Sequence, residues 1–177
     1  ATPDPLWSRG LGDVYKRQAL CTRQCMVSVG DTAPDFTLMA NDRNMVTLSD
    51  SIGNKVVLVF YPAAFTGVCT TEMCTFSDFM SDFENIEAEV FGISADSIFS
   101  NNEFSKTNSI GFPLLSDVNR NAINSYGIGI DFVMPGYIAA QRSVFVINED
   151  GKIGYCWVAD NPGIEPNYQE IVDFCKR

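Results

Sequence analysis

The chain contains no histidine. That absence excludes a Ser-His-Asp triad and a Cys-His dyad, and it removes the commonest transition-metal ligand. Any nucleophilic cysteine must then be activated by helix geometry and a cationic neighbour. Positive charge is also scarce: 12 Lys and Arg stand against 22 Asp and Glu, a net charge of −10. With no basic cluster to hold phosphates, no nucleic-acid partner is expected. Long apolar runs are missing too. None approaches the roughly 20 residues that span a bilayer, so no membrane partner is expected. The first residues lack the charged start and apolar centre of a secretory signal. The six cysteines, Cys21, Cys25, Cys69, Cys74, Cys156 and Cys175, are irregularly spaced and form no paired C-x-x-C knuckles. Neither a disulfide framework nor a zinc site fits them, and a reducing, cytoplasmic setting with some functional thiols fits better.

What the chain does have is bulk. Its 177 residues are 46% apolar and include thirteen Phe, enough for one domain with a sizeable core. Residues 1–25 stand apart, holding Arg9, Lys16, Arg17 and Arg23 but only Asp4 and Asp13 among the acids. The segment WSRGLGDVYKRQ looks like a translated sequencing adapter. Residues 1–25 are therefore expected to be a non-native or disordered extension, Cys21 and Cys25 included, with Met26 the natural start and 26–177 the folded domain. A targeting peptide or regulatory arm is the alternative.

The stretch from Lys55 to Phe83 organises the rest. Val56 to Tyr61 is an apolar, β-branched and aromatic run that predicts a buried strand. A Pro-Ala-Ala-Phe-Thr-Gly loop follows, then Cys69, then Met73, Phe76, Phe79, Met80 and Phe83 at helical spacing to about Asn85. A cysteine where a helix begins sits among unpaired backbone N–H groups at the positive end of the dipole. Both favour the thiolate, which is the nucleophilic form.

Around this centre, Asp35–Met39 and Met45–Leu48 predict an edge hairpin, and Ala88–Ser94 a strand parallel to the first. A helix over Asp96–Asn108 is expected to be apolar at Ile98, Phe99 and Phe104. Phe112–Leu115 is short and extended, Asn119–Tyr126 a short helix, and Ile128–Ala140 a loop or ragged hairpin turning at Met134-Pro135-Gly136. Arg142–Asn148 and Lys152–Val158 flank Glu149-Asp150-Gly151 as a hairpin, and Tyr168–Lys176 closes the chain as a helix. In Tyr155-Cys156-Trp157, alternation predicts one set facing the core and the other an exposed surface. The layout is α/β, a central mixed sheet with helices on both faces and an N-terminal β-hairpin.

Pro62, Thr66 and Cys69 spell P-x-x-x-T-x-x-C between strand and helix, inside VFYPAAFTGVCTTE. This resembles the peroxiredoxins, thiol peroxidases of the thioredoxin-like fold. The resemblance runs from about Val29 to the C-terminus, and is strongest to the AhpE-like and bacterioferritin-comigratory-protein-like branches. A thiol–disulfide oxidoreductase on the same fold needs C-x-x-C at the helix start, and this chain has T-x-x-C.

The resemblance implies reduction of hydrogen peroxide or small organic hydroperoxides, with Cys69 as the peroxidatic sulfur. Thr66 accepts from the peroxide or donates to the thiolate, Pro62 fixes the loop and shields the sulfur, and the Val68 and Cys69 N–H groups face the same space. Arg142, opening the strand Arg-Ser-Val-Phe-Val-Ile, matches the family's arginine over the cysteine. Glu72 matches a glutamate that orients it, or is simply an acid favoured at a helix N-terminus. Cys74 stands at the resolving position of C-x-x-x-x-C members. Five residues of helix mean about 140° of rotation and roughly 7.5 Å of rise, so a Cys69–Cys74 disulfide requires the first turns to unwind. If Cys74 is instead a core-facing cysteine, an external thiol resolves Cys69. A peroxide-sensing relay without fast turnover is a further alternative. Burial is the easier reading of mid-strand Cys156, Cys175 in the last helix could be exposed, and the extended C-terminal arm of typical two-cysteine members has no counterpart. Recycling by thioredoxin or a similar dithiol protein, a monomer or homodimer, and no metal, haem or flavin complete the expectation.

Overall fold

Five consecutive apolar residues with no charge among them form strand β3, Val56–Phe60, and every one is buried. Only a strand covered on both faces tolerates such a run. A computed structural model describes residues 27–177. The expectations for residues 1–25, and for Met26 as the start, lie outside the described residues.

Strands β1 (Thr37–Ala40), β2 (Met45–Thr47), β4 (Glu89–Ser94), β5 (Leu114–Ser116), β8 (Ser143–Ile147) and β9 (Ile153–Val158) join β3 in one sheet. Its order is β2-β1-β5-β4-β3-β8-β9. β3 and β5 run parallel to β4, whereas β8 is antiparallel to β3 and β9 to β8. β6 (Gly129–Asp131) and β7 (Ile138–Ala140) make a separate antiparallel pair, the hairpin of the two alternatives, loop or ragged hairpin, expected there.

Alternation along β3 divides the core in two. Val56, Leu58 and Phe60 join Phe91, Ile93, Phe145 and Tyr126 on one face, together with Ile123 of helix α4 (Asn121–Ser125). Val57, Val59 and Tyr61 face the other helices: α1 (Gly67–Asp78), α2 (Met80–Asn85), α3 (Ile98–Asn108) and α5 (Tyr168–Cys175). The mixed sheet, helices on both faces and the β1–β2 hairpin agree with the sequence reading.

Four details differ from it. The helix expected from Cys69 begins two residues earlier, at Gly67, and breaks at Phe79, whose ring stacks on Tyr168. Helix α3 begins at Ile98, capped by the Ser97 side chain, and its inward positions are Asn101 and Phe104. Phe99, two residues from Asn101, consequently faces solvent at 69% exposure. Cys175 is buried rather than exposed, and burial pushes its thiol up to about 11. On β9, Tyr155 and Trp157 pack half-buried against the helix-side core and Cys156 half-buried against the opposite one, so neither set faces open solvent.

Candidate active site

The backbone between β3 and α1 builds the site. Tyr61 keeps the sheet ladder going by donating to the Ile93 carbonyl. Pro62, buried and without an N–H, ends it. The loop reverses at Phe65, which has φ +60°. Thr66 is the residue before the helix, with extended backbone, but its hydroxyl does not cap the helix. Instead it donates to the Ala63 carbonyl at 3.0 Å. The first bond into the helix runs from the Thr70 N–H to the Thr66 carbonyl. Gly67, Val68 and Cys69 precede it, in the turn whose N–H groups lack intrahelical partners. Cys69 is 1% exposed.

The sheet brings Arg142 to this turn. β8 pairs with β3 so that Ser143 lies opposite Phe60, which sets Arg142 beside the end of β3 where the loop departs. The guanidinium is 1% exposed and makes contacts through all three of its nitrogens. Its Nη2 donates to Cys69 Sγ at 3.3 Å, Nε and Nη2 donate to the Pro162 carbonyl at 3.1 and 2.9 Å, and Nη1 donates to Glu72 Oε2. Burial opposes the charge of Arg142, but the Glu72 carboxyl and the Cys69 sulfur outweigh it and hold the guanidinium above its ordinary range. Glu72 is completely buried and its Oε1 has no hydrogen-bond partner. Burial pushes its carboxyl up to about 8 against the pull of Arg142.

Cys74 lies away from this cluster, half-buried, with its sulfur 3.9 Å from the Asn108 carbonyl. The two sulfurs thus look toward different neighbours, Arg142 for one and the end of α3 for the other. The described cysteines are all free thiols. Among the described residues no group of three or more Cys, Asp or Glu is placed to hold a metal ion.

Sequence reasoning missed the polar layer under the loop. Asp96 Oδ2 accepts from the Ala64 N–H at 2.8 Å and from Ser94 Oγ at 3.0 Å. The Tyr61 hydroxyl donates to Asn101 Oδ1 at 2.8 Å. Pro162, whose carbonyl takes two bonds from Arg142, was missed as well. One signal was available for Ser94 and Asp96: polar residues at the carboxyl end of a parallel strand lie where such sheets bind ligands.

The AhpC/TSA family model matches residues 29–156. A putative peroxiredoxin of Mycobacterium tuberculosis is 40% identical over 134 residues, 75% of this chain and 85% of that protein. The putative peroxiredoxin bcp of Coxiella burnetii is 37% identical over 133 residues, 74% of this chain and 88% of its own length. The chain is a peroxiredoxin. Solved structures agree: a PrxQ mutant from Xylella fastidiosa superposes with a TM-score of 0.77 at 29% identity, over 86% of this peroxiredoxin and 97% of that chain. Peroxidoxin BcpB of Mycobacterium tuberculosis gives 0.75 at 28% identity, over 85% and 97%. Its fold is accordingly thioredoxin-like. As a peroxiredoxin it is a thiol peroxidase, which takes a peroxide as substrate and a thiol as reductant. No helix among its described residues is long and apolar enough to cross a membrane.

Proposed function

We propose that this peroxiredoxin reduces hydrogen peroxide and small organic hydroperoxides at Cys69. One observation carries the reading: Arg142 Nη2 lies 3.3 Å from the Cys69 sulfur, with both groups out of water. In a desolvated site a guanidinium stabilises negative charge on sulfur far more than in bulk solvent. The thiolate attacks the nearer peroxide oxygen and the O–O bond breaks. Cys69 becomes a sulfenic acid, and the leaving oxygen departs as water or an alcohol after taking a proton. Thr66 accepts from the peroxide O–H, because its own proton is committed to Ala63. Arg142 and the N–H groups of Val68 and Cys69 donate to the peroxide oxygens, and Pro62 walls the site. Glu72 holds Arg142 in place. Burial raises its carboxyl, which lessens how far it cancels the charge offered to the sulfur.

In the resolving step Cys74 attacks the sulfenate, forming a disulfide and releasing water. The two sulfurs face different neighbours, so the first turns of α1 unwind for this step. Thioredoxin or a similar dithiol protein then restores both thiols. The working unit is the 26–177 domain in a reducing, cytoplasmic setting, as a monomer or homodimer, with no nucleic acid, membrane or cofactor involved. The packing of Cys74 against Asn108 favours a second reading, in which an external thiol resolves Cys69 directly.

Peptide mass spectrometry after one equivalent of peroxide separates the two. A Cys69–Cys74 disulfide supports the first, and a persistent sulfenate the second. Cys69→Ser should abolish turnover, whereas Cys74→Ser should keep a single peroxide-consuming event. Turnover surviving in Cys69→Ser would refute the assignment of the sulfur.

A further inference from the structure

We propose that Asp96 is a positioning residue for the peroxide step, acting on the Thr66 hydroxyl through the one peptide group that joins Ala63 to Ala64. The proposal rests on the peroxidase reading above. That peptide is held on both sides. Its N–H, on Ala64, donates to Asp96 Oδ2 at 2.8 Å, and its carbonyl, on Ala63, accepts from Thr66 Oγ1 at 3.0 Å. In a planar trans peptide the N–H and C=O point in opposite directions, so fixing one fixes the other.

The orientation matters because a hydroxyl has one proton to give. With that proton on the Ala63 carbonyl, Thr66 presents lone pairs to the site, and a hydroperoxide brings an O–H to meet them. Turned over, the same peptide would offer Thr66 an N–H. The hydroxyl would then accept on that side and turn its proton, not its lone pairs, toward the incoming peroxide O–H. One peptide plane therefore decides whether Thr66 offers the substrate an acceptor or withholds it. An ionised carboxylate only accepts, so Asp96 admits the N–H and excludes the carbonyl. Its charge also polarises the peptide and strengthens the Ala63 carbonyl as an acceptor.

Asp96 is itself firmly placed. Ser94 Oγ donates to the same Oδ2 at 3.0 Å, and Ser116 Oγ donates to the Asp96 carbonyl. Ser94 is fully buried at the end of β4, next to the Tyr61–Asn101 hydrogen bond at the end of β3. The orientation of a loop peptide is thus referred back to the ends of neighbouring strands.

Two reactions of Cys69 in the reduced full-length chain test this: single-turnover oxidation by hydrogen peroxide, and alkylation by iodoacetamide at the same pH. Alkylation needs the nucleophilic sulfur but no acceptor from Thr66. Asp96→Ala should slow the peroxide reaction about tenfold to a hundredfold while alkylation stays within about threefold, the size expected for losing a charged hydrogen-bond acceptor. Asp96→Asn keeps an oxygen for the Ala64 N–H, guards against misfolding, and should lose less. In a Thr66→Val background Asp96→Ala should add no more than about twofold, because the group it positions is gone. The proposal is overturned if peroxide and alkylation rates fall together, if the Asp96 and Thr66 losses multiply, or if the peroxide rate is unchanged. A wild-type chain whose Cys69 alkylates but never reacts with peroxide would overturn the peroxidase reading as well, and is recognisable as that separate failure.

Discussion

Replacing Glu72 by glutamine should change how stability depends on pH, in a direction the structure specifies. Glu72 is completely buried, and its carboxyl is raised from an ordinary 4.5 to about 8 by burial, against the pull of Arg142. Between those values the folded protein keeps a proton that the unfolded chain releases. Stability from this group is therefore complete below about pH 4.5, declines as pH rises, and is gone above about pH 8. At 1.36 kcal/mol per unit, the whole window is worth up to about 5 kcal/mol. Glutamine keeps the shape and an oxygen for Arg142 Nη1 but has no proton to lose. Relative to the wild type, Glu72→Gln should gain roughly 1 kcal/mol per pH unit on average between pH 5 and 8. Urea unfolding at pH 5, 6, 7 and 8 measures this. With a typical m-value, the difference between the two midpoints should move by roughly 0.5–1 M per pH unit at constant m. Other groups that shift on folding, such as the buried Asp117 carboxyl, are common to both proteins and cancel in the difference. Parallel stability curves would refute the reasoning. A wild type that gains on the variant as pH rises would refute it more deeply, since it would mean that Arg142 keeps Glu72 ionised in the fold.

Arg142→Lys should slow oxidation of Cys69 by peroxide about a hundredfold in stopped-flow measurements, because one ammonium cannot replace a planar fork. That fork reaches Cys69, Glu72 and the Pro162 carbonyl together, and an unchanged rate would show that the sulfur needs only a point charge. Gly92→Ala should cost about 1–3 kcal/mol in thermal or urea unfolding, as overpacking does. A Cβ there would lie 2.5 Å from Leu114 Cδ2 and 3.4 Å from Tyr61 Cε1. Leu114 is itself completely buried, so a loss below about 0.5 kcal/mol would show that the core there yields more easily than its packing implies.

The central strand and the helix after it were legible because their signals are local. A charge-free run such as Val56–Phe60 has no stable place except between two layers, and the apolar spacing after Cys69 has the period of a helix. Arg142 was not legible in that way. It lies 73 residues from Cys69, and only the register of β8 on β3 joins them. Periodicity also put Phe99 inside α3, where Asn101 actually sits. Apolarity is a sound guide to burial until a buried hydroxyl, here that of Tyr61, needs an acceptor. Asp96 reads as an ordinary acid at the start of a helix because its partner, the Ala64 N–H, is 32 residues away. What stayed hidden was therefore polar pairing across long separations, which no residue pattern announces.

Arg142 and Cys69 are mounted on supports of unequal stiffness. The guanidinium projects from the start of a central strand and is braced by the Pro162 carbonyl, whereas the sulfur rides in the outermost turn of a helix. Terminal turns fray at little expense, but central ladders open only with the whole fold. If the first turns of α1 unwind in the proposed resolving step, it is the sulfur that travels, leaving its cation behind as a fixed dock to which the reduced thiol returns.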